Sequence, residues 1–471
     1  MMTTQPRAVF LPHANLQYSQ LPPQKREWVV RNCYARLFAL VEEEGVPIGF
    51  EASGKTVDLI AQLAPDVMQQ LRALVQRGQL EPVASPYIHL MTANIPPEAV
   101  VHSLRRSLDT WEKHTGVRPQ VGWNPECGWG AHVLDAYKEA GLRALVMDAD
   151  SFLLSFPEIR EATGLRYDVQ GHSNKTKLFR IEEYIRTRPQ FLRFLTAPTA
   201  APNGLALLFR SDCMANLLLW YLMGATEGQR GKPVEMAEIE QMFAVWKERV
   251  QQTGSFLLPY AEDAEYIGSS AYFYVKQFNE ARFFTPAPQS VSRFREILRA
   301  AQKAGYLLST PSQVLHEAGP LEENPYVTHI EDGVAWHGGT AKAWANTRQS
   351  RILDPVCRSI WEGIRVLEGP CAQNEQAASA LETARDAVES AWVSDARWPP
   401  EPTSPGRFNV REALDDLYHA NDALAQAMEA AGIQEERTFY SPQLMGSQIA
   451  FIDKELMALP YFEECGKVAE T

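Results

Sequence analysis

Residues 121–130 read VGWNPECGWG, and this stretch decides how the rest of the chain is interpreted. A short strand-like run leads into it, and residues 131–140 have helical apolar spacing, so Glu126 falls on a turn between a strand and a helix. Pro125 fixes its own φ and keeps Asn124 extended. Because a β/α barrel carries its chemistry where strands lead into helices, Glu126 is the first catalytic candidate.

Two indoles flank this carboxylate. Trp123 and Trp129 offer flat apolar faces beside Glu126, while Gly128 and Gly130 allow the backbone to approach a ligand closely. A carboxylate between indoles is typical of a sugar site. The alternative for a single glutamate is a structural role, in which the carboxylate accepts backbone hydrogen bonds within a tight turn.

The composition indicates a globular protein with a large core. The chain has 471 residues, of which 45% are hydrophobic and 22% charged, so we expect one barrel-sized domain and a smaller one. Its formal net charge is -13. Such an acidic surface repels nucleic acids and anionic membranes, which favours a neutral or cationic small molecule as partner.

Neither a signal peptide nor a run of eighteen apolar residues is found in the sequence. Its six cysteines are scattered without a CxxC pair, which indicates neither a disulfide framework nor a zinc site. We therefore expect a soluble cytoplasmic protein with reduced thiols and no cofactor. Cys127 is an alternative nucleophile, disfavoured because no histidine adjoins it in the sequence.

Strand and helix patterns alternate over about 310 residues, which predicts a β/α barrel or a doubly wound sheet. A doubly wound sheet usually has a glycine-rich phosphate turn after its first strand, and the stretch HANLQYS that begins at His13 is not one. A barrel instead gathers polar residues at the carboxyl ends of its strands. We expect six acidic residues there: Glu51, Glu81, Glu126, Asp148, Asp212 and Asp263.

The chain is predicted to have two domains. Residues 1–317 form the catalytic barrel, AGPLEENP at 318–325 is the boundary, and residues 326–471 form a helical domain. Helical spacing at 342–367, 373–392 and 410–431 supports the second domain, with a Pro-rich loop at 398–406. Three further residues have two possible roles: Trp336, His337 and Trp344 either line one edge of the site or pack in the interior. We favour packing.

Five short stretches follow one another along residues 7 to about 315: His13-Ala-Asn-Leu-Gln17, Gly78-Gln-Leu-Glu81, Trp123-Asn-Pro-Glu-Cys127, Phe209-Arg-Ser-Asp212 and Glu262-Asp-Ala-Glu265. In this order they resemble the five motifs of glycoside hydrolase family 57, most specifically in the third stretch. There are two departures. Asn15 stands where the family has a second histidine, and Ser211 stands where many members have the acid, so Asp212 would take that role one residue later.

The resemblance implies an α/β fold, an incomplete (β/α)7-type barrel followed by an α-helical C-terminal domain. It also implies cleavage or transfer of an α-glycosidic bond with retention, with Glu126 as nucleophile and Asp212 as acid/base. Substrate-binding roles fall on nine residues, with no metal ligand among them: His13, Asn15, Glu81, Trp123, Trp129, Arg210, Trp220, Asp263 and Glu265. The expected partner is a carbohydrate.

Two other functions compete with this interpretation. A metal-dependent carbohydrate deacetylase or a mannosidase-like barrel needs clustered His and Asp ligands, and the first strand offers only His13 with Asn15. A sugar-binding relative that has lost its acid is suggested by Ser211.

Overall fold

The structure is a computed structural model, which describes residues 5–167, 174, 177–224, 232–275, 280–398, 408–435 and 438–459. Its contacts divide the chain into two compact units. The barrel unit contains the described residues up to Leu16, then Gln24–Tyr87 and Thr92–Lys342. The helical unit contains Gln17–Pro23, Ile88–Met91 and the described residues from Ala343 onwards. Residues 326–342, predicted as part of the helical domain, thus belong to the barrel unit.

The strands of the barrel unit in chain order are β1 (Arg7–Phe10), β2 (His13–Ala14), β3 (Ile48–Ala52), β4 (Leu80–Ala84), β5 (Val121–Trp123), β6 (Ala144–Asp148), β7 (Thr199–Ala200), β8 (Ala206–Arg210), β9 (Phe256–Tyr260), β10 (Gly268–Ser269), β11 (Tyr272–Val275), β12 (Glu280–Phe283), β13 (Pro286–Ala287), β14 (Leu307–Ser309), β15 (Val334–Ala335) and β16 (Gly339–Thr340).

Its helices are α1 (Arg26–Val29), α2 (Ala35–Glu44), α3 (Gly54–Leu63), α4 (Pro65–Gln76), α5 (Pro97–Thr115), α6 (Val133–Glu139), α7 (Ala149–Leu153), α8 (Pro157–Thr163), α9 (Phe179–Ile185), α10 (Pro189–Thr196), α11 (Asp212–Met223), α12 (Met236–Thr253), α13 (Pro288–Lys303) and α14 (Pro311–Ala318). Several begin where the sequence provides a cap. The side chain of Ser53 accepts a hydrogen bond from the backbone of Thr56 in α3, and Ser211 caps α11 in the same way.

Two sheets of mainly parallel strands build the barrel. The larger has the order β2-β3-β4-β5-β6-β8-β7, in which only β7 is antiparallel to its neighbour, and the smaller has the order β14-β1-β9. The first strand segment links them, since β1 pairs with β9 and β2 pairs with β3. On the other side β8 packs beside β9. This curled seven-stranded sheet with its helices confirms the predicted incomplete barrel.

The barrel interior is filled by every second residue of its strands, as the alternation of side chains in a strand requires. All its contributors from the strands are buried: Val9, Val83, Val121, Trp123, Ala144, Val146, Leu208, Phe256 and Leu258. The residues between them face the helices. Gly122, for example, lies under the ring of Tyr137 in α6.

The helical unit consists mainly of α16 (Arg348–Cys371), α17 (Glu375–Ala391), α18 (Phe408–Ala431) and α19 (Pro442–Met457), after the short α15 (Lys342–Ala345) that begins at the boundary. The buried face of α18 repeats at alternating spacings of four and three residues. Of the Pro-rich loop predicted at 398–406, all but Trp398 lies outside the described residues. Within the described part of the chain, we find no helix with the length and apolarity needed to cross a membrane.

Gly122 is predicted to be required for the packing of β5 against α6. A Cβ atom added there would lie 2.7 Å from Cδ1 of Tyr137, which is too close for two carbon atoms. We expect Gly122→Ala to lower the free energy of unfolding by about 1–3 kcal/mol, measured by urea denaturation.

The matched control is Gly446→Ala in α19, where an added Cβ would lie 3.5 Å from Nδ2 of Asn421, an ordinary contact. Because alanine is the better helix former, this variant should gain about 0.5–1 kcal/mol. Equal stability of Gly122→Ala and the parent chain would contradict the packing argument.

Candidate active site

Glu126 lies on a strained turn at the carboxyl end of β5. Glu126 and Cys127 both have left-handed backbone conformations, with φ of 56° and 46°. Each such residue costs about 1–3 kcal/mol, which the surroundings must offset. Asn124 offsets part of this cost through two hydrogen bonds. Its carbonyl accepts from the backbone N–H of Cys127 at 2.9 Å, and its side-chain oxygen accepts from Thr92 Oγ1 at 2.6 Å.

Two further elements hold the same turn. Trp129 pairs through its backbone with the hairpin around β15, since its N–H donates to the carbonyl of Val334 at 2.7 Å. On the other side the hydroxyl of Tyr137 donates to the carbonyl of Trp123 at 2.6 Å. The turn is thus held from several sides, and the Glu126 side chain remains partly exposed.

Arg210, the last residue of β8, is the buried cation of this region, with 2% of its side chain exposed. It donates to the carboxylate of Asp212, to Glu262 at 2.9 Å and to Asp148 at 3.4 Å. These carboxylates come from the ends of β6, β8 and β9. One guanidinium therefore joins three neighbouring strand ends.

Acidic groups outnumber the cation in this cluster, because Asp150 adds a fourth one. The backbone N–H of Asp212 donates to Asp150 at 3.3 Å. Burial, followed by the charges of its acidic neighbours, raises the pKa of Asp148 to about 7 and that of Asp150 well above its usual range. Burial acts to lower the pKa of Arg210, but the carboxylates around it hold that pKa well above normal, so Arg210 stays charged.

His337 is a member of this cluster that the sequence analysis did not assign to the site. It lies between β15 and β16, is fully buried, and has a left-handed φ of 55°. Its Nδ1 lies 2.6 Å from Oδ2 of Asp212. The sequence signal was the Trp336-His337 pair, but no spacing or periodicity connects it with β8.

A second polar group lies at the ends of β2, β3 and β9. His13 pairs with the buried carboxylate of Glu51. Burial acts to lower the pKa of His13, but the charge and hydrogen bond of Glu51 together with the charges of Asp263 and Glu265 raise that pKa to about 10, so this is an ion pair at neutral pH. Asp263 adjoins His13 through a parallel backbone bridge, and its charge also raises the pKa of His13.

Glu265 is buried beneath this rim. Its Oε1 accepts from the backbone N–H of Asn15 at 2.8 Å and from the hydroxyl of Tyr34. Burial, and then the charge of Asp263, raises the pKa of Glu265 to about 8. The structure thus gives Glu265 and the Asn15 backbone a part in the packing below the site.

Trp123 connects the two polar groups. Its ring centroid lies 5.5 Å from that of His13, and the guanidinium carbon of Arg210 lies 5.8 Å from the Trp123 ring. Such distances allow a cation–π attraction on each side. Trp123 and Trp129 are only 6% and 5% exposed, so both belong mainly to the wall beneath the site.

Two predicted site residues are not brought to this face. The predicted position of Glu81 is wrong, because it is the second residue of β4 and lies at the amino end of that strand. There it accepts from the backbone N–H and hydroxyl of Ser312, at 2.9 and 2.5 Å. Trp220 lies eight residues after Asp212 along α11, which is roughly 12 Å along the helix axis and away from the strand ends.

The exposure of the acidic groups separates two kinds of residue. Glu51, Asp148, Asp150, Asp212 and Glu265 are all buried, whereas Glu126, Glu262 and Asp263 are partly exposed. The neighbouring thiol is no rival nucleophile, since burial raises the pKa of Cys127 well above its usual range.

The buried state of Glu265 predicts a dependence of stability on pH. Its pKa in the folded chain, about 8, lies above the ordinary value of 4.5. Its contribution to stability is therefore complete below about pH 4.5 and is lost as the pH rises through about 8. We expect Glu265→Gln to lose less unfolding free energy than the parent chain between pH 5 and 9, measured by urea denaturation at each pH. Glu158→Gln, at an exposed site on α8, is the control and should follow the parent chain, and a parallel decline in all three would refute the assignment.

Two relatives match about a third of this chain in sequence. An alpha-amylase of Pyrococcus furiosus is 24% identical over 164 residues, which is 34% of this chain and 25% of that protein. A 4-alpha-glucanotransferase of Thermococcus litoralis is 26% identical over 164 residues, with the same two shares. The chain thus spans about a quarter of the length of these relatives.

A solved structure resembles nearly the whole chain. The GH57-type branching enzyme of Pyrococcus horikoshii superposes with a TM-score of 0.62 at 12% identity, covering 95% of this chain and 94% of that one. At this identity the likeness concerns the fold. The family model described as Glycosyl hydrolase family 57 matches residues 8–294, which is more than half of the sequence. With the β/α barrel, its strand-end carboxylates and this match together, the chain belongs to glycosyl hydrolase family 57.

Proposed function

We propose that the chain cleaves or transfers an α-glycosidic bond with retention, through a covalent glycosyl ester on Glu126. The observation that carries this proposal is the turn after β5, which holds a partly exposed carboxylate in a strained conformation at the carboxyl face of the barrel. Strain of this kind is concentrated at functional sites. Hydrolysis and transfer share this intermediate and differ only in whether water or a sugar hydroxyl accepts the glycosyl group.

The substrate class is proposed from the relatives and the charge. The matched relatives are named as an alpha-amylase and a 4-alpha-glucanotransferase, which favours an α-linked glucan. A neutral glucan also suits a chain with a net charge of -13, which would repel anionic polymers.

We propose Asp263, in place of Asp212, as the acid/base. A general acid must reach the glycosidic oxygen, and Asp212 is fully buried with one oxygen bound by Arg210 and the other by His337. Asp263 is partly exposed at the end of β9. In the order of strands around the barrel, β6 and β8 separate β5 from β9, so Glu126 and Asp263 come from opposite sides of its mouth. A retaining pair needs its carboxyls about 5–5.5 Å apart across the bond.

The metal-dependent alternative has less support. Ligand atoms of Asp148, Asp150 and Asp212 lie within 4.8 Å of one another, which is a spacing suitable for a metal. However, Arg210 donates hydrogen bonds to two of these carboxylates. The pKa values of Asp148 and Asp150 are also raised, which favours the protonated carboxyl group, a poor metal ligand. A cationic side chain already supplies the charge that a metal would bring.

The nucleophile is tested with Glu126→Gln and Glu126→Gly. Both should lower kcat for an activated aryl α-glucoside by a factor on the order of 10⁴. Glycine tolerates the left-handed conformation of this position, so azide added to Glu126→Gly should attack the anomeric carbon in place of the carboxylate. The aryl oxide would leave and a β-glycosyl azide would form, detected by NMR. Parent-level turnover by Glu126→Gln would end the proposal.

The acid is tested by comparing Asp263→Asn with Asp212→Asn on aryl glucosides of graded leaving-group pKa. Loss of the acid should slow poor leaving groups by about 10²–10⁴-fold and leave the best ones nearly unaffected. We expect this slope for Asp263→Asn and a loss independent of the leaving group for Asp212→Asn. The reverse result would return the role to Asp212.

A further inference from the structure

His337 makes a short contact to a residue that the proposed mechanism does not use directly. Its Nδ1 lies 2.6 Å from Oδ2 of Asp212, and the other oxygen of that carboxylate accepts from Arg210. An ionised carboxylate has no hydrogen to donate. The hydrogen of this contact is therefore on Nδ1 of His337, which is the donor. This contact joins a loop between two short strands to the buried cation of the barrel.

Arg210 in turn contacts both stretches that carry the proposed catalytic residues. It donates to Glu262, the residue before Asp263, at 2.9 Å. Its guanidinium carbon also lies 5.8 Å from the ring of Trp123, three residues before Glu126, and its charge acts on the thiol of Cys127. A shift of this guanidinium would therefore disturb side chains that neighbour both proposed catalytic residues.

The loop that carries His337 is itself held at several points. The hydroxyl of Ser151 donates to the carbonyl of Ala335 at 2.5 Å, and Nδ2 of Asn174 donates to the carbonyl of Gly338 at 3.2 Å. His337 adopts its left-handed φ of 55° within this frame. The frame offsets a conformation that a histidine seldom adopts, and it directs the imidazole to Asp212.

We propose that His337 is a positioning residue, whose bond to Asp212 fixes Arg210 and thereby the relative placement of Glu126 and Asp263. This inference rests on the proposed function for its catalytic consequence. The mechanical part, the holding of two backbone stretches by one histidine, does not depend on it.

The test compares two substitutions that both suit the backbone. Glycine and asparagine tolerate a left-handed φ, but only asparagine keeps a donor near the position of Nδ1. A misplacement of about 1 Å can cost about 10²-fold in rate. We therefore expect His337→Gly to lower kcat by about 10²-fold with KM changed less than about threefold, and His337→Asn to recover at least tenfold of that loss.

A second readout is independent of turnover. Amide hydrogen exchange should rise in His337→Gly at both residues 124–128 and residues 260–265, and should be restored in His337→Asn. Exchange confined to the loop 334–340, or equal effects of the two variants on rate and exchange, would overturn the inference. If the parent chain turned over no α-glycoside, the proposed function would fail, while the exchange pattern would still decide the role of His337.

Discussion

The carboxyl face of the barrel depends on one buried cation, the guanidinium of Arg210. Moving such a charge out of water costs several kcal/mol unless it is paired and hydrogen-bonded. Here the carboxylates of Asp148, Asp212 and Glu262 surround it, and each comes from a different strand end. A charge that would destabilise the fold if it were buried without partners therefore links the ends of β6, β8 and β9.

The cluster holds more acidic groups than one cation can neutralise, and the pKa values of Asp148 and Asp150 are raised accordingly. Burial, followed by the charges of Asp148 and Asp212, raises the pKa of Asp150 well above its usual range, which favours its neutral form. His337 adds a further donor to Asp212. The buried groups thus form a hydrogen-bonded framework, while Glu126 and Asp263, the proposed reacting residues, are partly exposed. This division between holding and reacting groups underlies the proposed mechanism.

The sequence analysis expected acidic residues to gather at the carboxyl ends of the barrel strands. This expectation was useful for residues that do lie at a carboxyl end. It brought Asp148, Asp212 and Asp263 to one face. It failed for Glu81, since a residue that follows the first residue of a strand lies at the opposite end of the barrel. It also said nothing about exposure, and so it did not show that Asp212, the predicted acid, is buried whereas Asp263, predicted to bind substrate, is partly exposed.

The alternation of strands and helices and the strand-to-helix turn at Glu126 could be predicted from the amino-acid sequence, because both follow from local periodicity and from the backbone limits of proline and its neighbours. Which carboxylates are enclosed and which reach solvent could be seen only in the folded chain, since burial depends on side chains from distant strands. The tertiary structure alone brought His337 to Asp212 across 125 residues of chain. A hydrogen bond between residues so far apart leaves no periodic signal, because it is set by where the fold places a loop and the start of a helix.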